Sequence, residues 1–276
     1  MKALPRIEIG HGAALWILHG YGGSGASLSD LARRLSDTRR CVLPDLPGHG
    51  DAAARILAGD YDFLQCVDEV AHSIAAHEQA PVDLFGYSMG ARIALALALR
   101  HPALVRRLCL LGARAGIADP AARAARCQAD RQWIELLQRE GIEAFAAAWL
   151  AQPLFATLSA AQRAHEQHAR RRQDPAALAR AMAVLGLAAQ PPLQDQLATL
   201  EPPTLLLCGR LDIGFHAATE SLAQAIPDAR TLWIAAAGHA AHLESPETVA
   251  QGLVDFLLDH PRPASAPSLF SLERAP

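Results

Sequence analysis

Two patterns of apolar residues alternate along the first 112 positions. Short apolar runs, continuous at 14–18 and 41–44 and broken only by Asp83 at 82–85, are separated by segments at 27–35 and 62–77 whose apolar residues recur every three or four positions. A continuous run bounded by turn residues reads as a strand buried on both faces, and the wider spacing reads as an amphipathic helix. The strand pattern returns at 105–111, 204–208 and 231–234, and a last helical segment spans 245 to about 258. Strands alternating with helices predict an α/β fold, with a mainly parallel sheet covered by helices on both faces.

Between 113 and 200 the alternation stops. This stretch is rich in Ala, Arg and Gln, keeps helical spacing, and is punctuated by Pro120, Gly141, Pro153, Pro175 and Pro191-Pro192. About four or five short helices set between two strands of a sheet predict a cap over the strand ends, where open α/β sheets bind ligands. The expected organisation is a core of 1–112 and 201–260, a helical cap of 113–200 and a flexible tail rich in Pro, Ser and Ala over 261–276. Trp133, Trp149 and Phe155 would serve as cap core or pocket wall.

Composition narrows the setting. A chain of 276 residues, 51% hydrophobic, buries a substantial core without covalent staples. The five Cys lie mostly in apolar runs with no C-x-x-C or Cys/His cluster, which points to a reduced, cytoplasmic chain without structural zinc. The N-terminal residues lack the apolar centre of a signal peptide, and no run approaches the ~20 residues of a membrane span. A net charge of −3 gives no footprint for nucleic acid or an anionic membrane, and nothing in the pattern fixes the oligomeric state. The placement of charge says more than the total. Residues 113–200 hold ten Arg against eight acids, while the remainder is acidic, an arrangement compatible with a small anionic ligand over the core.

The chemistry centres on Val82-Asp-Leu-Phe-Gly-Tyr-Ser-Met-Gly-Ala-Arg92, which reads as strand, sharp turn and helix. A G-x-S-x-G in that context is a nucleophile elbow, whose glycines let the chain turn tightly enough to present the Ser88 Oγ. Met89, directly after the Ser, and Tyr21, in the Gly-rich turn at 19–23, would donate the two backbone N–H groups of an oxyanion hole. Asp212 and His239 each follow a predicted strand, completing the order Ser, Asp, His of an α/β-hydrolase triad. In it His239 accepts the Ser88 proton and Asp212 fixes the imidazole tautomer. Asp119, Asp195 and Glu244 follow no strand at the required place. His242 is expected against the last helix, His19 to be satisfied by backbone groups, and Asp45 and His49 to brace a turn. No ligand cluster or phosphate-binding loop is present, so neither metal nor organic cofactor is implied.

Taken together, these residues resemble the α/β-hydrolase superfamily over essentially the whole chain. The stretches at 19–25, 44–50, 86–92, 130–133, 149–155 and 238–242 are also similar to one family within it, the 2-succinyl-6-hydroxy-2,4-cyclohexadiene-1-carboxylate synthases of menaquinone biosynthesis. The first two are generic to the superfamily; the Arg four residues after the Ser and the motifs of the insertion are more particular. The resemblance implies a carbon–oxygen lyase that takes a proton from 2-succinyl-5-enolpyruvyl-6-hydroxy-3-cyclohexene-1-carboxylate and eliminates pyruvate. It also implies that Tyr87, Arg92, Arg126, Trp149 and Arg170 bind this small anionic polycarboxylate, the arginines through bidentate contacts. The chain departs from the family at Gly112-Ala-Arg-Ala-Gly116, which replaces a glycine-rich turn, and beyond 259. Arg123, Arg131, Arg171 and Arg172 lie near enough to the matched arginines to exchange roles with them. The alternative reading is a small-molecule carboxylesterase or thioesterase with the same triad. A non-enzymatic binding member of the fold fits less well, because all three triad residues are in place.

Overall fold

Seven strands carry the fold in a computed structural model that describes residues 2–57 and 59–259; the expected tail at 261–276 lies outside the described residues. They are β1 (Arg6–Ile9), β2 (Ala13–Leu18), β3 (Arg39–Pro44), β4 (Val82–Tyr87), β5 (Val105–Leu111), β6 (Thr204–Gly209) and β7 (Ala229–Ile234). They form one sheet in the order β1-β3-β2-β4-β5-β6-β7, parallel except for the antiparallel pairing of β1 with β3. The apolar pattern does not mark β1, because its Arg-Ile-Glu-Ile is half-exposed at the sheet edge and needs only one covered side.

The continuous apolarity of the central strands follows from burial on two faces. Trp16, Leu18, Leu84, Leu108, Leu110 and Leu206 point to one face, where they pack with α2 (Phe63–His77) and α3 (Met89–Arg100). Leu15, Ile17, Phe85, Cys109, Leu205 and Leu207 point to the other, toward α1 (Ser29–Leu35) and the final helix over Pro246–Asp259. Asp83 breaks the pattern on β4, fully buried, and is neutralised by Arg39, Arg106 and Arg107 around it.

From β5 the chain leaves the sheet into α4 (Pro120–Leu150), α5 (Ala160–Arg171) and α6 (Pro175–Leu185). Gly141 interrupts α4 with φ of 81°, so the first of these is two helices joined across a break rather than one rod. Asp119, Ser159 and Asp174 cap the three N-termini through their side chains. The helical segment is stitched to the sheet side by Gln173, which donates to Gly23 O at 3.1 Å and accepts from Gly50 N at 2.9 Å. After β6 come α7 (Ile213–Ala225) and, past β7, the short α8 (Ala241–Glu244) and α9 (Pro246–Asp259). Among the described residues no helix is long and apolar enough to cross a membrane.

Candidate active site

Ser88 stands between the end of β4 and the start of α3 with φ of 53°, the one non-glycine residue with positive φ among those described. The turn is tight enough that a Cβ on Gly90 would lie 2.3 Å from Leu18 O, so only glycine fits there. Ser88 N donates to Leu111 O at 2.8 Å, tying the turn to the end of the neighbouring strand. The chain around it is buried while Ser88 itself is half-exposed. Strain of this kind persists where surrounding structure over-determines it, and here it presents the hydroxyl.

Two other strand ends deliver its partners. His239, in the turn after β7, brings Nε2 to 2.9 Å from Ser88 Oγ, and its Nδ1 lies 2.8 Å from Asp212 Oδ2 at the start of α7. With the Asp212 carboxylate accepting from Nδ1–H, Nε2 is the free acceptor for the Ser88 O–H. His239 is 2% exposed and Asp212 6%, so this relay is shielded from water except at the Ser. Gly112, with φ of 67°, runs directly beneath the imidazole, and a Cβ there would stand 2.7 Å from His239 Cε1. Phe215 covers His239 with ring centroids 4.5 Å apart. Glu244 accepts from Gly238 N and Ala240 N at 2.8 and 3.1 Å and so braces the histidine's turn, while Asp119 caps α4.

The Gly-rich loop after β2 lies alongside. A Cβ on Gly20 would come within 3.6 Å of Ser88 Cβ, which puts the following Tyr21 at the edge of the elbow. Met89 opens α3, so its N–H belongs to the first turn, whose donors find no partner within the helix. The Tyr21 hydroxyl donates to Leu178 O in α6 at 2.9 Å. His19 bonds Gly20 O through Nδ1 at 2.8 Å and accepts from Leu46 N at 3.0 Å, a histidine engaged with backbone. Asp45 accepts from Gly25 N and Asp51 N, and His49 packs edge-on to His19 and Tyr21.

Aromatic rings line the wall above this loop. Trp149 stacks on Phe145 at 5.4 Å, meets Trp133 at 5.0 Å and Tyr21 at 5.1 Å, and keeps a buried Nε1 without a hydrogen-bond partner. Tyr87 packs against both His239 and His242, at 5.4 and 4.3 Å. His242 thus lies on the site wall, a placement no local pattern could reveal because α8 is one turn long. Burial pushes the His242 imidazole down to about 4, opposed by the Glu166 carboxylate and assisted by His239 and Arg170. The folded value lies below the unfolded 6.5, so stability from this group is complete above about pH 6.5. It drains as pH falls toward 4, a loss of roughly 3 kcal/mol by linkage. In His242→Asn the fall of Tm between pH 6.5 and 4 is expected to be shallower than in the parent; equal slopes would clear His242 as a source of acid sensitivity.

The three arginines singled out in the sequence have different partners. Arg92 donates to Leu185 O at 2.8 Å, at the C-terminal end of α6, and to Gln190 Oε1 at 3.2 Å. Burial and the charge of Arg126 push its guanidinium down to about 10. Arg126 bonds Asp130 through Nε at 2.8 Å. Arg170 is buried, gives Nη1 to the Glu166 carboxylate and leaves Nε unpaired. Glu166 is held below the usual carboxylate range: burial would raise it, and Arg170, His242 and His165 outweigh that. Of the neighbouring arginines, Arg131, Arg171 and Arg172 are exposed and Arg123 turns back to Ile117 O. Sequence reasoning missed Phe215, Glu166 and Arg114 as parts of this wall; the departure from the family turn at 112–116 was the available signal for the last. Among the described residues no group of three or more His, Cys, Asp or Glu is placed to hold a metal ion.

What the arrangement can do is move a proton between a substrate and the Ser88–His239 pair beside a wall that carries several arginines. A family model for the alpha/beta hydrolase fold matches residues 13–246. The chain is 36% identical over 246 residues to the 2-succinyl-6-hydroxy-2,4-cyclohexadiene-1-carboxylate synthase of Enterobacter sp. (strain 638), covering 88% of this chain and 91% of that one. The protein of the same name from Klebsiella pneumoniae subsp. pneumoniae is 35% identical over 246 residues, 88% of this chain and 93% of its own. Among solved structures, MenH from S. aureus superposes with a TM-score of 0.87 at 26% identity, over 94% of this chain and 99% of that one.

Proposed function

Because the chain belongs to the 2-succinyl-6-hydroxy-2,4-cyclohexadiene-1-carboxylate synthase family of α/β hydrolases, we propose that its Ser88–His239–Asp212 relay performs this pyruvate elimination. The reactant is 2-succinyl-5-enolpyruvyl-6-hydroxy-3-cyclohexene-1-carboxylate. The observation that carries the reading is the assembled relay, with Nε2 free to accept a proton, next to arginines on the wall.

The bond changes can be read from the two compounds. The ring double bond at C3 becomes double bonds at C2 and C4, so a proton leaves C2 and the enolpyruvyl oxygen leaves C5. C2 carries the succinyl carbonyl, and its proton is therefore acidified by a ketone. The Ser88–His239 pair takes that proton, and Asp212 stabilises the imidazolium that results. Negative charge gathers on the succinyl oxygen, where the N–H groups of Tyr21 and Met89 act as the oxyanion hole. Collapse of this enolate forms the diene and expels enolpyruvate, which takes a proton on carbon to become pyruvate. No ester bond is hydrolysed and no cofactor takes part.

Arg92, Arg126 and Arg170, with Tyr87 and Trp149, hold the carboxylates and the ring. A charge-assisted contact is worth ~1.5–3 kcal/mol, so Arg92→Ala is expected to lower kcat/KM by roughly ten- to a hundredfold with the fold intact. Lysine should restore only part, since it keeps the charge and loses the fork. An unchanged kcat/KM would remove Arg92 from substrate binding.

The deciding experiment supplies the enolpyruvyl substrate to the purified protein and follows pyruvate with a coupled dehydrogenase. Stoichiometric pyruvate and slight activity on uncharged aryl esters are expected. Rapid ester hydrolysis without pyruvate would favour the esterase or thioesterase reading.

A further inference from the structure

Two residues after the glycine that underlies His239, Arg114 enters the site from the loop joining β5 to α4. Its guanidinium carbon lies 4.5 Å from the centroid of Phe215, and Phe215 in turn covers His239 at 4.5 Å. One Nη donates to Gly214 O at 2.6 Å, which fixes the plane of the group. Among the described residues no carboxylate pairs with it. Its carbonyl accepts from Gln190 Nε2 at 3.2 Å, and Gln190 Oε1 accepts from Arg92 Nη1 at 3.2 Å. A single buried glutamine thus ties the Arg114 backbone to the Arg92 guanidinium.

From this placement we infer that Arg114 is a specificity-determining residue, a fourth guanidinium that receives one carboxylate of a polycarboxylate substrate. The inference rests on the elimination proposed above, whose substrate carries ring, succinyl and enolpyruvyl carboxylates. Three arginines already face it, but Arg170 has given Nη1 to Glu166 and Arg126 has given Nε to Asp130. Arg114 has committed one donor to a neutral carbonyl, and its charge is opposed only at longer range, by Asp212.

Like charges also converge here. Burial and then the charge of Arg126 depress both Arg114 and Arg92; Asp212 opposes this for Arg114, and Asp130 for Arg92. Asp212 is already bonded to His239, and Asp130 is left to face Arg126 and Arg92. Such a cluster is relieved by a multivalent anion and not by a neutral ester. The competing role is structural: Arg114 would only pin the start of α7, next to Asp212.

The test compares the full-length protein with Arg114→Ala and Arg114→Lys. For the enolpyruvyl substrate the Ala variant is expected to raise KM about tenfold with kcat within about twofold, and Lys to recover part of it. Wild-type KM should climb more steeply with ionic strength than that of the Ala variant. Calorimetry with tricarballylate, an unreactive tricarboxylate, should show about tenfold weaker binding to the Ala variant. A fall in kcat with KM and tricarballylate affinity unchanged would overturn the inference in favour of the structural role, as would no change at all. If the wild type releases no pyruvate the elimination itself fails, and the tricarballylate comparison still decides whether Arg114 binds carboxylate.

Discussion

Ser88→Ala is expected to reduce turnover by about three orders of magnitude or more, because removing one member of a residue unit that acts together forfeits most of what the unit achieves. The His239 imidazole would lose the hydroxyl it meets at 2.9 Å while keeping Asp212, so the defect should fall on kcat and leave KM nearly unchanged. Stability should hardly move, since the side chain is half-exposed and alanine inherits the same strained turn. Pyruvate release under single-turnover conditions measures this directly. A loss of less than tenfold would mean that His239 Nε2 takes the C2 proton unaided, with Ser88 a bystander to the elimination.

Gly112→Ala carries the next largest expected effect, although Gly112 takes no part in the chemistry. An added Cβ would press on His239 Cε1 from 2.7 Å, and the φ of 67° adds strain of ~1 kcal/mol for any side chain. The imidazole must shift, and misplacing a catalytic group by about 1 Å costs on the order of a hundredfold. We expect kcat to fall by that factor, KM to hold, and Tm to drop by a few degrees. Wild-type kcat in this variant would show that the histidine tolerates displacement and that the 2.9 Å contact is not critical.

Much of this was legible in the chain. The central strands announce themselves because burial on both faces forces near-continuous apolarity; Ser88 and Asp212 each follow such a strand and His239 follows β7 at the sheet edge, so position along the sequence stood in for position in space. β1 was not legible, since an edge strand needs only alternation and Arg6 and Glu8 obscure it. Helix starts were not legible either: α3 begins at Met89 and α7 at Ile213, directly from elbow and turn residues that have no helical signature of their own. The wall resisted for a different reason. Glu166, His242 and Arg114 acquire their surroundings only when the inserted helices fold back over the sheet, a tertiary event that helical spacing cannot encode. Arg92 shows the limit well: its place on α3 was clear from spacing, whereas its partners, Leu185 and Gln190, lie about a hundred residues away.

Tyr21 has its backbone in the loop beside Ser88 and its hydroxyl on Leu178 in α6. A swing of α6 away from the sheet would therefore either break that bond or drag the loop along, and in the second case it would withdraw the N–H proposed to meet the nascent enolate. Coupled in that way, admitting a reactant and disarming the electrostatic trap would be one movement. An enzyme so wired would idle safely, since water entering with α6 lifted would meet an incomplete oxyanion hole.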